Sequence, residues 1–285
     1  MPALDVACHY NAVGADLESL PRASEALRLI ADAGYRRVVL PPLDPAAVDT
    51  DALAALFATH GLTPITIAGQ APGALVASAD REEREAGLAA LFAQLDLVEA
   101  IGGDQMNGVP YGLFGPPSGP IPSDAFLRSA DAVGRVADAA HERGITMTFE
   151  VLNRYETSMI NTAAQAMAYV EASASDHLMI HLDTYHMAVE EADMLEAITL
   201  ALPRLAFLEL GQSGRGSLRT GAVDVGAVVQ HALRSGYTRR FGVEAFTRQV
   251  LPSPAADGLA IWRTTYSDPA ALIVEAMELI TAAAR

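Results

Sequence analysis

Residues 178–210 read LMIHLDTYHMAVEEADMLEAITLALPRLAFLEL. The stretch opens on a short apolar run, Leu178–Asp183, and closes on another, Leu205–Leu210. Between them, Glu191–Leu202 is rich in Ala, Leu and Glu, with apolar residues recurring at helical spacing. Strand, helix and strand at this distance make one β/α unit, because parallel neighbours need a crossover connection of a dozen or more residues.

The same alternation extends in both directions. Strands are expected at Leu4–His9, Arg37–Leu40, Leu62–Ala68, Gln105–Val109, Ile145–Val151 and Arg240–Phe246. Helices are expected at Ala23–Ala33, Thr50–His60, Arg81–Ile101, Asp124–Arg143, Ala163–Ala172, Val223–Ser235 and Pro269–Ala284. Gly34, Gly61, Gly144 and Gly236 each stand where a helix ends before the next strand. Eight such units in 285 residues predict an α/β fold, a (β/α)8 TIM barrel, with residues 1–285 as one domain. A doubly wound open sheet is the alternative, but no Gly-x-Gly-x-x-Gly turn follows the first strand. Two connections are longer than a barrel needs, Pro110–Ser123 and Thr247–Asp268, the second carrying the only tryptophan, Trp262. Both follow strands, so both are expected to wall a pocket at the C-terminal face.

Composition narrows the function. The chain is 51% hydrophobic, too apolar for disorder, and its 19 basic against 35 acidic residues leave a formal charge of −16. That sign disfavours nucleic acid and membrane surfaces and leaves a small molecule as the expected partner. Every basic residue is an arginine, and without lysine no Schiff-base chemistry is available. A single cysteine, Cys8, excludes an intrachain disulfide and a multi-thiolate metal site. No apolar run reaches transmembrane length and no secretory signal pattern is present, so a cytoplasmic protein is expected.

The last four expected strands each hold one carboxylate inside an apolar run: Glu150, Asp183, Glu209 and Glu244, at spacings of 33, 26 and 35 residues. Neighbouring staves would bring the four together at one end of the barrel, where like charges repel. With no lysine in the chain and no arginine near these carboxylates in their strands, a divalent cation is the expected neutralising partner, since hard cations favour oxygen ligands. Strand alternation turns Phe246 to the same side as Glu244, setting an apolar face beside the metal. His186, Arg215, Arg154 and Glu156 follow these strands in exit loops and are candidates for gripping substrate oxygens.

At these residues the chain resembles the ketose 3-epimerases of the xylose-isomerase-like barrel superfamily. The similarity lies in Phe-Glu-Val-Leu-Asn-Arg-Tyr-Glu (149–156), His-Leu-Asp-Thr-Tyr-His-Met (181–187) and Glu-Ala-Phe (244–246). It continues in Cys8-His9, Glu-Glu-Ala-Asp-Met (190–194) and Ile-Trp-Arg (261–263). The resemblance implies a divalent metal, Mn²⁺ first with Co²⁺ or Mg²⁺ possible, bound at Glu150, Asp183, Glu209 and Glu244. It implies Glu150 and Glu244 as the acid/base pair that inverts carbon 3 of a free ketose through an enediolate. It also implies substrate contacts at Glu156, His186 and Arg215, and a homodimer or homotetramer.

The chain departs from the family pattern in three places. Glu209 stands where the family has a ligand histidine, Gln212 where it has a glutamate, and Val13 where it has a tryptophan. Alternative readings therefore remain. One is an aldose–ketose isomerase or a 3-keto-sugar lyase of the same superfamily, another a weakly active or non-catalytic sugar-binding homologue.

Overall fold

The computed structural model describes residues 4–14, 17 and 19–285. Eight parallel strands close into a barrel in sequence order. They are β1 (Val6–His9), β2 (Arg37–Val39), β3 (Thr63–Ala68), β4 (Gln105–Gly108), β5 (Thr146–Val151), β6 (Met179–Asp183), β7 (Leu205–Gly211) and β8 (Arg240–Glu244). The first four helices are α1 (Leu20–Asp32), α2 (Thr50–His60), α3 (Arg81–Ala100) and α4 (Ser123–Glu142). They are followed by α5 (Ala163–Ser173), α6 (Thr184–Glu190), α7 (Met194–Ala201), α8 (Val225–Arg234), α9 (Ser253–Gly258) and α10 (Pro269–Ala283). The expected strands all form, most of them a residue or two shorter at one end.

Two helices were not anticipated. Asp183 ends β6 and caps α6 at once, its Oδ1 accepting from the Tyr185 N–H at 2.9 Å, so strand and helix meet without a loop. The second, α9, lies in the long connection after β8 and packs Leu251, Ala256 and Ile261 with Phe246 in a small separate cluster. Helix ends follow local chemistry. Gly61 closes α2 with φ +62, a left-handed turn that a side chain would oppose. Thr162 and Gln165 satisfy each other's backbone N–H groups in a capping box at the start of α5.

Alternation along each strand separates two cores. Val38, Met106, Phe149, Ile180, Leu208, Phe241 and their neighbours face outward and pack beneath the helices. Ala7, Val39, Ile65 and Phe207 face inward and fill the barrel, with Ile67 against them. Below this layer, at the N-terminal end, Arg37 and Arg240 each bridge Asp5 and Asp104 at 2.5–3.1 Å, an alternating ring of charge that plugs the barrel floor. The barrel closes where β1 pairs with β8, Ala7 beside Gly242. No helix among the described residues is long and apolar enough to cross a membrane.

Candidate active site

The upper end of the barrel is built from inward-facing residues of consecutive strands. Parallel register sets Glu150 beside His181, Asp183 beside Glu209, and Gly211 beside Glu244. The site therefore has two levels, with Glu209 and His181 deeper than Glu244. Asp183, Glu209 and Glu244 are deeply buried, at 0%, 2% and 7% exposed, and Glu150 is half-buried. Burial raises the carboxyl pKa of Glu150 and Asp183, and pushes Glu209 up to about 7 against the opposing pull of Arg215.

The structure supplies this end of the barrel with a cation from outside the strands. Arg215, in the loop after β7, reaches back into the site and donates from Nη1 to Asp183 Oδ2 at 3.0 Å and to Glu244 Oε2. Its guanidinium lies over the Tyr185 ring, 3.5 Å from the centroid, and 5.3 Å from that of Phe246. Arg215 has a left-handed backbone, φ +55, and its carbonyl accepts from the Phe246 N–H at 2.8 Å. Strand β8 thus ends at Glu244, short of the expected Phe246, yet Phe246 is held at the site and packs edge-on to His9.

Gln212 is a fixture of this loop. Its side chain donates to the Leu218 and Val223 carbonyls and accepts from the Ser213 and Val223 N–H groups, at 2.9–3.3 Å. The amide therefore latches the segment that delivers Arg215.

His186, in the first turn of α6, lies among the carboxylates. Nε2 is 3.3 Å from Glu150 Oε1, 3.6 Å from Asp183 Oδ2 and 3.9 Å from Glu156 Oε2. Nδ1 accepts the Asn153 backbone N–H at 3.1 Å, so the neutral ring carries its proton on Nε2, facing those carboxylates. Burial lowers its pKa to about 4. Asn153 also holds Glu156, from Nδ2 at 3.1 Å. Arg154 instead turns outward and pairs with Glu190, at 2.8 Å.

Two residues outside the expected set join the site. His9, at the end of β1, is 3.8 Å from Glu244 Oε1. His181, on β6, is 3.0 Å from Glu209 Oε2. Both follow from strand alternation, since His181 lies two residues before Asp183 and must face the same way.

The long connections border this site as expected. Tyr111 donates its hydroxyl to the Glu150 carbonyl at 2.8 Å, and the Gly115 N–H donates to the Glu156 carbonyl at 2.9 Å. A cleft of about 120 Å³ beside Arg215 is lined by Tyr185, Ser213, Ile261, Trp262 and Arg263. Trp262 itself is 69% exposed at the rim.

The donor set fits a divalent cation. Glu150, His181 and Glu209 each place a ligand atom within 4.8 Å of the others, as do Glu150, Asp183 and His186. Glu209 Oε1 and both ring nitrogens of His181 are buried without a hydrogen-bond partner among the described residues. Such groups are costly to bury unless something coordinates them.

A closed parallel barrel with this buried oxygen-rich site at its C-terminal end belongs to the xylose isomerase-like TIM barrel family, whose pattern matches residues 27–281. Within that family the chain falls among the sugar epimerases. It is 33% identical over 260 residues to L-ribulose 3-epimerase of Mesorhizobium japonicum, covering 90% of this chain and 88% of that one. It is 35% identical over 237 residues to ketose 3-epimerase of Arthrobacter globiformis, covering 83% and 82%. The crystal structure of D-allulose 3-epimerase from Methylomonas sp. in complex with D-allulose superposes with TM-score 0.92 at 30% identity, over 98% of this chain and 96% of that one.

Proposed function

We propose that this chain inverts carbon 3 of a free ketose through an enediolate, with Glu150 and Glu244 as the acid/base pair. The observation that carries the reading is the placement of these carboxylates on β5 and β8, joined through His186, Asp183 and Arg215. One takes the proton from carbon 3 and the other returns a proton to the opposite face. Relatives named for L-ribulose, allulose and ketoses in general support a ketose as substrate class.

A divalent cation, Mn²⁺ in the first instance, would be held among Glu150, Asp183, Glu209 and Glu244. When bound it supplies Lewis acidity toward the ketose carbonyl. The protein groups do the remainder. Arg215 offers a fixed guanidinium to oxygens at the reacting end, and the His186 Nε2–H donates beside Glu150. Glu156 accepts from hydroxyls at the mouth, and Phe246 provides an apolar wall. Phe207 and the inward layer beneath close the site from below.

Glu209 at a site otherwise similar to the 3-epimerases favours one second reading, an aldose–ketose isomerase or 3-keto-sugar lyase using the same proton-transfer pair. Both are resolved by NMR in D₂O with Mn²⁺ and D-tagatose, D-fructose, D-allulose or L-ribulose. Deuterium at carbon 3 together with a new epimer is the expected result. Label at carbon 1 or 2 with an aldose product assigns the isomerase, fragments assign the lyase, and no label in any sugar overturns the epimerase reading.

A further inference from the structure

We infer that His181 supplies the nitrogen ligand of the divalent cation, joining Glu150 and Glu209 at the deeper level of the site. The inference rests on the metal-dependent reading above and concerns which side chains hold the ion.

Three histidines lie near the carboxylates. His9, 3.8 Å from Glu244 Oε1, accepts the Asn11 N–H at its Nδ1 much as His186 accepts that of Asn153. Only His181 has both ring nitrogens without a partner among the described residues. His186 is already committed. Its Nδ1 accepts a backbone N–H, which is a donor in every protonation state, so the neutral ring keeps a proton on Nε2. Ligation through Nε2 would require removing that one remaining N–H proton to make an imidazolate. The geometry instead leaves the His186 Nε2–H beside Glu150 and Asp183, at 3.3 and 3.6 Å, with Arg215 Nη2 at 3.4 Å.

His181 has the opposite character. It is 2% exposed, and neither ring nitrogen has a hydrogen-bond partner among the described residues. Nε2 stands 3.0 Å from Glu209 Oε2 without hydrogen-bond geometry, and Glu209 Oε1 is also without a partner. Phe207 meets the imidazole edge-on at 4.8 Å between centroids and fixes its orientation. Gly242 lets this layer pack closely, because a Cβ there would lie 2.5 Å from Phe207 Cε1 and 2.8 Å from Glu209 Oε1. Lone pairs from an imidazole and two carboxylates, with ligand atoms within 4.8 Å of one another, are the donors a Mn²⁺- or Co²⁺-class ion takes.

The test is electron paramagnetic resonance of Mn²⁺ bound to protein carrying isotopically labelled histidine, read as hyperfine coupling to a histidine nitrogen. Native protein, His181→Asn and His186→Asn are compared, with circular dichroism reporting the fold. The expected result is coupling in the native protein, its loss in His181→Asn and its retention in His186→Asn. Mn²⁺ affinity in His181→Asn should fall by no less than the ~10- to 100-fold typical of losing an outer-shell partner. Coupling that persists in His181→Asn, or disappears in His186→Asn, overturns the assignment while leaving the metal-dependent reading intact. A native protein that binds Mn²⁺ with no histidine coupling also overturns the assignment alone. Native protein that binds no Mn²⁺, Co²⁺ or Mg²⁺ overturns both. Should His181→Asn fail to fold, His181→Gln takes its place, and His9→Asn, like His186→Asn, should retain the coupling.

Discussion

Arg215 Nη1 and Asp183 Oδ2 stand 3.0 Å apart, both buried, and the same guanidinium bonds Glu244. A loop arginine is therefore the resident positive charge among the carboxylates. Replacing it with an apolar side chain strands two buried anions, and breaking a buried pair by removing one partner costs about 3–5 kcal/mol. Arg215→Met should lower the stability of the metal-free protein by that order in urea titration, and added Mn²⁺ should recover part of the loss. A variant as stable as the native protein in chelator would show that these carboxylates are neutral without Arg215.

The proposed proton-transfer pair makes a kinetic demand. Positioned general acid–base groups contribute about 10²–10⁴-fold, so Glu150→Gln and Glu244→Gln should each reduce kcat by that range. The near-isosteric amides should leave the circular dichroism spectrum unchanged. Native turnover in either variant removes that residue from the mechanism.

Glu209 gives the protein a pH dependence whose sign is fixed. Burial lifts its pKa from 4.5 to about 7, so the folded chain holds this proton more tightly than the unfolded one. Its contribution to stability is complete below about 4.5 and disappears as pH rises through about 7. In chelator, urea stability between about pH 5 and pH 8 should fall more steeply for the native chain than for Glu209→Gln. Metal binding runs the other way, because the ligand must be ionised. Mn²⁺ affinity should weaken below pH 7, approaching about tenfold per unit for one displaced proton.

Gly242 tests the close packing around Glu209. An added Cβ would lie 2.5 Å from Phe207 Cε1 and 2.8 Å from Glu209 Oε1, too close without movement. Gly242→Ala should cost about 1–3 kcal/mol, the usual range for overpacking a core. It should also weaken Mn²⁺ binding by displacing Glu209, which titration calorimetry would read directly.

The barrel was legible because the strand-forming runs recur once per helix, a rhythm strong enough to expose all eight staves. What escaped was short or delivered from elsewhere in the chain. Helix α6 begins on the residue that ends β6, leaving no turn signal, and α9 has six residues inside a loop. The carboxylates stood out as charges in apolar runs, whereas His181 was overlooked although the two-residue period places it beside Asp183. Arg215 was read as a substrate contact. Its role in neutralising the carboxylates depends on a left-handed turn and on the Gln212 latch, neither of which has a signature in residue spacing.

The seam between β1 and β8 carries a consequence for biosynthesis. Asp5 and Arg240, which meet at the barrel floor, are 235 residues apart, so the ring closes only after the chain through β8 has left the ribosome. Glu244 arrives with that last strand, and a growing chain therefore lacks one of its proposed proton carriers until β8 has been made. A product truncated before β8 would expose the open edges of β1 and β7, surfaces prone to pair with other chains. Barrel closure and assembly of the proposed site therefore coincide in one step, the docking of β8 between β7 and β1.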